Sequence, residues 1–228
     1  MPDTFAPVRG ATGRDVPLGT PTRPAWRGRL HMIGLVLALP FLLAMTLNAD
    51  GTRAKVGVAI YAVGLCSMLT ASTTYHRWVH SIRARAAMRR VDHAMIYAAI
   101  AGTFTPLGLI SLGTRPAVIL LGIIWGAAVA GAILKLTGRR RADLVATVMY
   151  ILIGWSGLVL VPALWNAVGA LPVIMVFIGG VLYTTGAIGF GKKWPTLEPS
   201  VFSYHEVWHA FTLLAAGAHF AAIWMATT

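Results

Sequence analysis

Seven long apolar runs, separated by short polar stretches, limit what this chain can become. They lie at Leu30 to Leu47, about Val56 to Trp78, Asp92 to about Leu112, Pro116 to Leu136, Leu144 to Trp165, Leu171 to Phe190 and Tyr204 to Met225. Each is close to the ~20 residues that cross a hydrocarbon core as a helix. No water reaches that depth, so every backbone polar group must be satisfied within the segment, and a helix does this. The expected fold class is therefore an all-α membrane protein, a seven-transmembrane helix bundle. Composition agrees: 57% of residues are hydrophobic and 11% charged, which excludes an ordinary soluble domain. Residues 1 to 25, with Pro2, Pro7, Pro17, Pro21 and Pro24, read as a disordered tail, and residues 26 to 228 as one transmembrane domain. The first run is too long for a signal-peptide core, so no cleaved leader is expected. Pro106 is a kink point, and Gly122-x3-Gly126 fits a close helix contact. Cys66, the only cysteine, leaves no internal disulfide and no cysteine-rich metal site.

A net charge of +12 in a soluble protein would suggest nucleic acid. Here the basic residues crowd into alternate connections instead. Sixteen of the nineteen Lys and Arg residues fall in the N-terminal segment and the second, fourth and sixth loops; only Arg53, Lys55 and Arg115 fall on the other side. That bias puts the N-terminus in the cytoplasm and the C-terminus outside, in a plasma (bacterial inner) membrane. Six or eight spans would spoil the partition. Membrane lipids are then the expected partners, with no role for nucleic acid, and the arginine runs also suit anionic headgroups.

On this topology His76, Asp92, His205 and His209 come from three helices yet share one depth. His205 and His209 lie four apart, on one face of the seventh helix. Ionisable groups inside a span are costly and call for a purpose. Three neutral imidazoles suit zinc, which keeps its full positive charge and an open position for water. Asp92 is placed to accept that water's hydrogen bond or its proton. Ser72, one turn deeper than His76 on the same face, can reach the site. His205-Glu206-Val207-Trp208-His209 also satisfies the zinc-protease pattern H-E-x-x-H, with Glu206 as base, but the outer-side Asp50 is a bilayer away from it. Glu206 otherwise reads as a headgroup-facing residue suited to a helix N-terminus. His31 reads as an entrance residue facing headgroups, His80 as solvated, His93 as a packing or loop contact, and His219, about 15 Å deeper, as hydrogen-bonded within the bundle.

The pattern resembles the hemolysin III family and its relatives, the progestin and adipoQ receptors, within a superfamily of membrane hydrolases that includes alkaline ceramidases. The resemblance rests on Ser72-x3-His76, on Arg90-Val91-Asp92-His93 running into Ala101-Gly102-Thr103-Phe104-Thr105-Pro106, and on Tyr204-His205-Glu206-Val207-Trp208-His209. Leu30-His31 and Leu182-Tyr183-Thr184-Thr185-Gly186 support it. It implies seven helices with a cytoplasmic N-terminus, zinc held by His76, His205 and His209, and Asp92 and Ser72 around the bound water. The implied activity is metal-dependent hydrolysis of lipid amide or ester bonds in membrane lipid homeostasis. The alternatives are a non-catalytic sensor or receptor with a structural zinc, and a cytolytic, hemolysin-like membrane protein.

Overall fold

The computed structural model describes residues 24–228; the proline-rich stretch expected to form a tail falls almost wholly outside them. Among the described residues, seven helices are long and apolar enough to cross a membrane: α1 (Arg29–Asn48), α2 (Gly51–Trp78), α3 (Ile82–Ser111), α4 (Thr114–Leu136), α5 (Arg140–Val168), α6 (Ala170–Gly191) and α7 (Tyr204–Thr227). Large apolar side chains such as Val36, Leu43, Ile123 and Leu152 point outward, whereas His31, Ser72, Thr73, His76, Glu206 and His209 are buried. That distribution is the one a bilayer demands: polar groups face the bundle interior and lipid meets hydrocarbon. The protein is a multi-pass integral membrane protein.

Contacts at the two ends confirm the alternation of direction. At one end the Asp50 amide donates to the Thr227 carbonyl (2.7 Å), and Arg53 Nη2 donates to the Leu112 carbonyl (3.0 Å). At the other, Ala25 and Trp26 donate backbone hydrogen bonds to Ser200 and Val201 (3.0 and 3.2 Å). The chain is therefore already docked at residue 25. The start of α1, the end of α2 and the start of α7 meet at this second end, where the arginines also collect.

The helices overrun the apolar runs. The third does not open at Asp92 but ten residues earlier: Ser81 Oγ caps it by accepting from the Ala84 amide (3.2 Å), and Ala and Arg, both strong helix formers, fill its first turns. What reads as a basic loop is a helical extension, and Asp92 sits nearly three turns inside it. The helix continues through Pro106. The last turn of α2, Thr74–Trp78, widens to a π-helix, with the Val79 amide reaching back five residues to the Thr74 carbonyl (3.2 Å). Such turns commonly re-aim a side chain at a functional site, and this one carries His76. In α5, residues Ser156–Leu160 tighten to a 3₁₀ stretch ahead of Pro162.

The tightest helix pair is α2 with α3. A Cβ on Gly57 would lie 2.7 Å from Pro106 Cα, and one on Gly64 would strike the Ala98 carbonyl oxygen. Gly102 answers from α3, its own Cβ position 3.5 Å from Gly64 Cα. Small residues let two backbones approach where no hydrophobic effect drives them together. The Gly122-x3-Gly126 motif, by contrast, has nothing within 4 Å of either Cβ position. It makes no close helix contact, because that face of α4 is turned away from the bundle.

Candidate metal centre

The site is assembled on the first turns of α7. Ser203 caps the helix in a capping box: Glu206 Oε2 accepts from the Ser203 amide (2.8 Å) and from Ser203 Oγ (2.5 Å). The other carboxylate oxygen, Oε1, accepts from Arg27 Nε (2.5 Å). Glu206 is fully buried, not headgroup-facing as its position near a membrane surface suggested. A buried carboxylate persists there because it has a guanidinium, a hydroxyl, an amide and the positive end of the helix. With both oxygens engaged it is unavailable as a metalloprotease base, so the H-E-x-x-H match carries no protease geometry.

That anchor sets the azimuth of α7 and turns His205 and His209 inward. His76 arrives from the π turn of α2. Gly28 makes room for it: a Cβ there would fall against the His76 Cβ, and its φ of 75° suits glycine. His205 Nε2 and His76 Nε2 are 3.2 Å apart, and one ligand-capable atom from each of His76, His205 and His209 lies within 4.8 Å of the others. Ring centroids are 4.7 Å apart for His76 with His205, 5.0 Å for His76 with His209 and 4.7 Å for His205 with His209. Asp92 Oδ2 stands 3.8 Å from His76 Nε2. The separations suit a metal: four-coordinate zinc with nitrogen donors at 2.0–2.1 Å requires nitrogens about 3.3 Å apart, which the His76–His205 pair already meets, with His209 within 4.8 Å of both.

The structure also brings in His31. Far from facing headgroups, it is 3% exposed; its ring stacks on His209 (centroids 3.9 Å apart, planes within 3°) and its Nδ1 lies 2.8 Å from Ser72 Oγ. Ser72 is also close enough to the Asp92 carboxyl to influence it. With His31 Nδ1–H donating to Ser72 Oγ, the Ser72 O–H is left to turn toward the carboxyl side. Sequence reading missed this role because one turn of a helix at the membrane surface offers both an outward and an inward face. The remaining histidines stay apart: His80 is exposed beyond the end of α2, His219 Nε2 meets the Val176 carbonyl (3.1 Å), and His93 faces away from Asp92 toward α4 and α5. The Arg27–Glu206 pair was likewise missed, although Ser203-x-x-Glu206 is a legible capping signature.

Residues 20–220 match the family described as Haemolysin-III related. The chain belongs to the haemolysin-III family. Its relatives include the Hemolysin-3 homolog of Bacillus subtilis, 30% identical over 194 residues (83% of this chain and 87% of the relative). Hemolysin-3 of Bacillus cereus is 34% identical over 186 residues (80% and 82%). The human monocyte to macrophage differentiation factor is 29% identical over 181 residues (77% and 72%). That match covers 77% of this haemolysin-III protein, so the likeness extends through most of the bundle.

Proposed function

We propose that the protein is a zinc-dependent hydrolase of amide or ester bonds in membrane lipids, acting in membrane lipid homeostasis. One observation carries the reading: three imidazoles converge beside a carboxylate, with a serine hydroxyl close by, at one end of the bundle. His76, His205 and His209 are the residues that would hold the ion. When bound, zinc supplies a Lewis acid for the carbonyl oxygen and lowers the pKa of its water to about 7.

The remaining work belongs to side chains. Asp92 Oδ2 is the base that takes the proton from the attacking water and later returns it to the leaving amine or alcohol. Ser72, held by His31 Nδ1, stands beside the carboxyl group and offers it a hydroxyl. His31 stacked on His209 keeps that ring from turning. Arg27 and Glu206 hold the mouth of α7 in place. The arginine bias supports a cytoplasmic position for this end of the bundle, in a bacterium at the inner membrane, where the reaction would act at headgroup depth.

The convergence of three imidazoles from α2 and α7 also favours a second reading, in which zinc merely ties these helices together in a sensor or receptor. Zinc content by elemental mass spectrometry and turnover of amide- and ester-linked lipids, measured on one purified preparation, separate the two. Hydrolysis predicts about one zinc per chain in the wild type, none in His205→Ala/His209→Ala, and in Asp92→Asn retained zinc with turnover down ~10²-fold or more. Zinc retained with no turnover of either lipid class in the wild type would sink the enzyme and leave the sensor.

A further inference from the structure

On the far side of α3 from the histidines lies a second polar site. A cavity of about 240 Å³ opens between α3, the end of α4 and the start of α5, lined by Arg89, Arg90, His93, Lys135, Arg140 and Asp143 around Gly138. Asp92 and His93 are neighbours in sequence, but about 100° of helix rotation sends them to different sites.

The charges in this cavity do not balance. Lys135, 3% exposed, spends all three ammonium protons internally: on Asp143 Oδ1 (2.9 Å), the Asp143 carbonyl (3.1 Å) and Thr147 Oγ1 (2.7 Å). Asp143 is the only carboxylate in the lining, and Lys135 consumes it. Among the described residues, Arg89, Arg90 and Arg140 have no acidic partner. Three arginines, Arg90 half-buried and Arg89 and Arg140 exposed, thus line one cavity without an acidic partner among the described residues. Gly138, with φ at 67°, lets Arg90 fold against the α4–α5 turn: a Cβ there would sit 3.0 Å from Arg90 Nη1. The cavity is also a concave opening at the arginine-rich end of the bundle, where headgroup phosphates lie.

We propose that this cavity binds a phosphate group through Arg89, Arg90 and Arg140, with the Lys135–Asp143 pair as its rigid floor. Planar guanidinium forks suit phosphate oxygens, and a basic recess between helices on the cytoplasmic side is where an anionic headgroup seats. The same chemistry accepts an anionic phospholipid or free inorganic phosphate. The site is independent of the metal centre and of its proposed chemistry.

The test is native mass spectrometry of the detergent-purified full chain, titrated with phosphatidylglycerol and, as the neutral control, phosphatidylcholine. Thermal melting with inorganic phosphate runs in parallel. Arg90→Ala/Arg140→Ala removes two forks, Arg90→Lys/Arg140→Lys keeps the charge without them, and Lys55→Ala/Arg115→Ala removes equal charge at the opposite end. Elution volume and helical content by circular dichroism, compared with wild type, identify a variant that has misfolded. We expect wild type to retain phosphatidylglycerol about tenfold over phosphatidylcholine. That preference should vanish in the alanine variant, weaken in the lysine variant and survive in the opposite-end control. A phosphate-induced melting shift lost in the alanine variant, without any lipid preference, supports the free ion as the ligand. Absence of both effects in wild type, or their persistence in correctly folded Arg90→Ala/Arg140→Ala, overturns the proposal.

Discussion

His31 does more at this centre than its place at a helix entrance suggests. It contributes a stacked ring to His209 and a hydrogen bond to Ser72, so it reaches both a candidate ligand and a hydroxyl near Asp92. Groups that orient metal ligands typically cost 10–100-fold in affinity when lost. We expect His31→Ala to bind zinc ~10–100-fold more weakly in chelator competition, with the helical content of wild type. His31→Phe keeps the stack but not the hydrogen bond, and should fall between the two. Equal zinc affinity in His31→Ala would reduce the ring to packing. Glu206 teaches a related lesson. Its motif position suggests a catalytic base, yet its partners make it a helix anchor, and only the partners decide between the two.

Among the elements, α2 and α3 bear most on the site, since they supply Ser72, His76 and Asp92. Their approach depends on Gly57, Gly64 and Gly102. Gly64→Ala puts a methyl group against the Ala98 carbonyl and must push the helices apart; overpacking of this kind costs ~1–3 kcal/mol. It should also widen the gap between His76 and Asp92, so zinc affinity falls with stability. Gly122→Ala, at a position with open space around it, should change thermal stability by no more than ~0.5 kcal/mol. If the two substitutions behaved alike in detergent melting experiments, the close approach of α2 and α3 would not be what holds that pair. The π turn at the end of α2 is the other decisive element. It lies where the sequence shows only Thr74-Tyr75-His76-Arg77-Trp78, and no residue there announces a wider turn.

For the molecule as a whole, an odd number of spans places the termini at opposite ends, and the arginine bias assigns the sides. In a Cys66→Ser background, a membrane-impermeant thiol reagent applied to intact cells should label Thr114→Cys and leave His80→Cys unmodified until the cells are opened. The reverse pattern would turn the bundle over and place both the metal centre and the arginine cavity outside. The division of labour around α3 is also a property of the whole molecule. One face meets the histidines through Asp92, and another lines a basic cavity through Arg89, Arg90 and His93. Two polar sites lie on one helix near the same end of the bundle, so the proposed chemistry and the proposed phosphate binding would serve the same leaflet.

Hydrocarbon thickness and the charge bias of the loops made the seven spans legible from sequence, because both act along the chain, where sequence is written. The histidine set was legible for the same reason: four-residue spacing fixes a shared face, and position in a span fixes depth. Rotation about the helix axis is not written that way. Whether His31 looks outward or inward, whether Glu206 meets water or Arg27, and whether Gly122 or Gly64 touches a neighbour depend on how each helix is turned. That is settled by packing between segments as distant as Arg27 and Glu206. Sequence by itself determined the membrane class, the span count and the metal-ligand candidates. Tertiary structure decided which faces meet, and so showed His31 at the centre, removed Glu206 from the chemistry and gathered three arginines around one cavity.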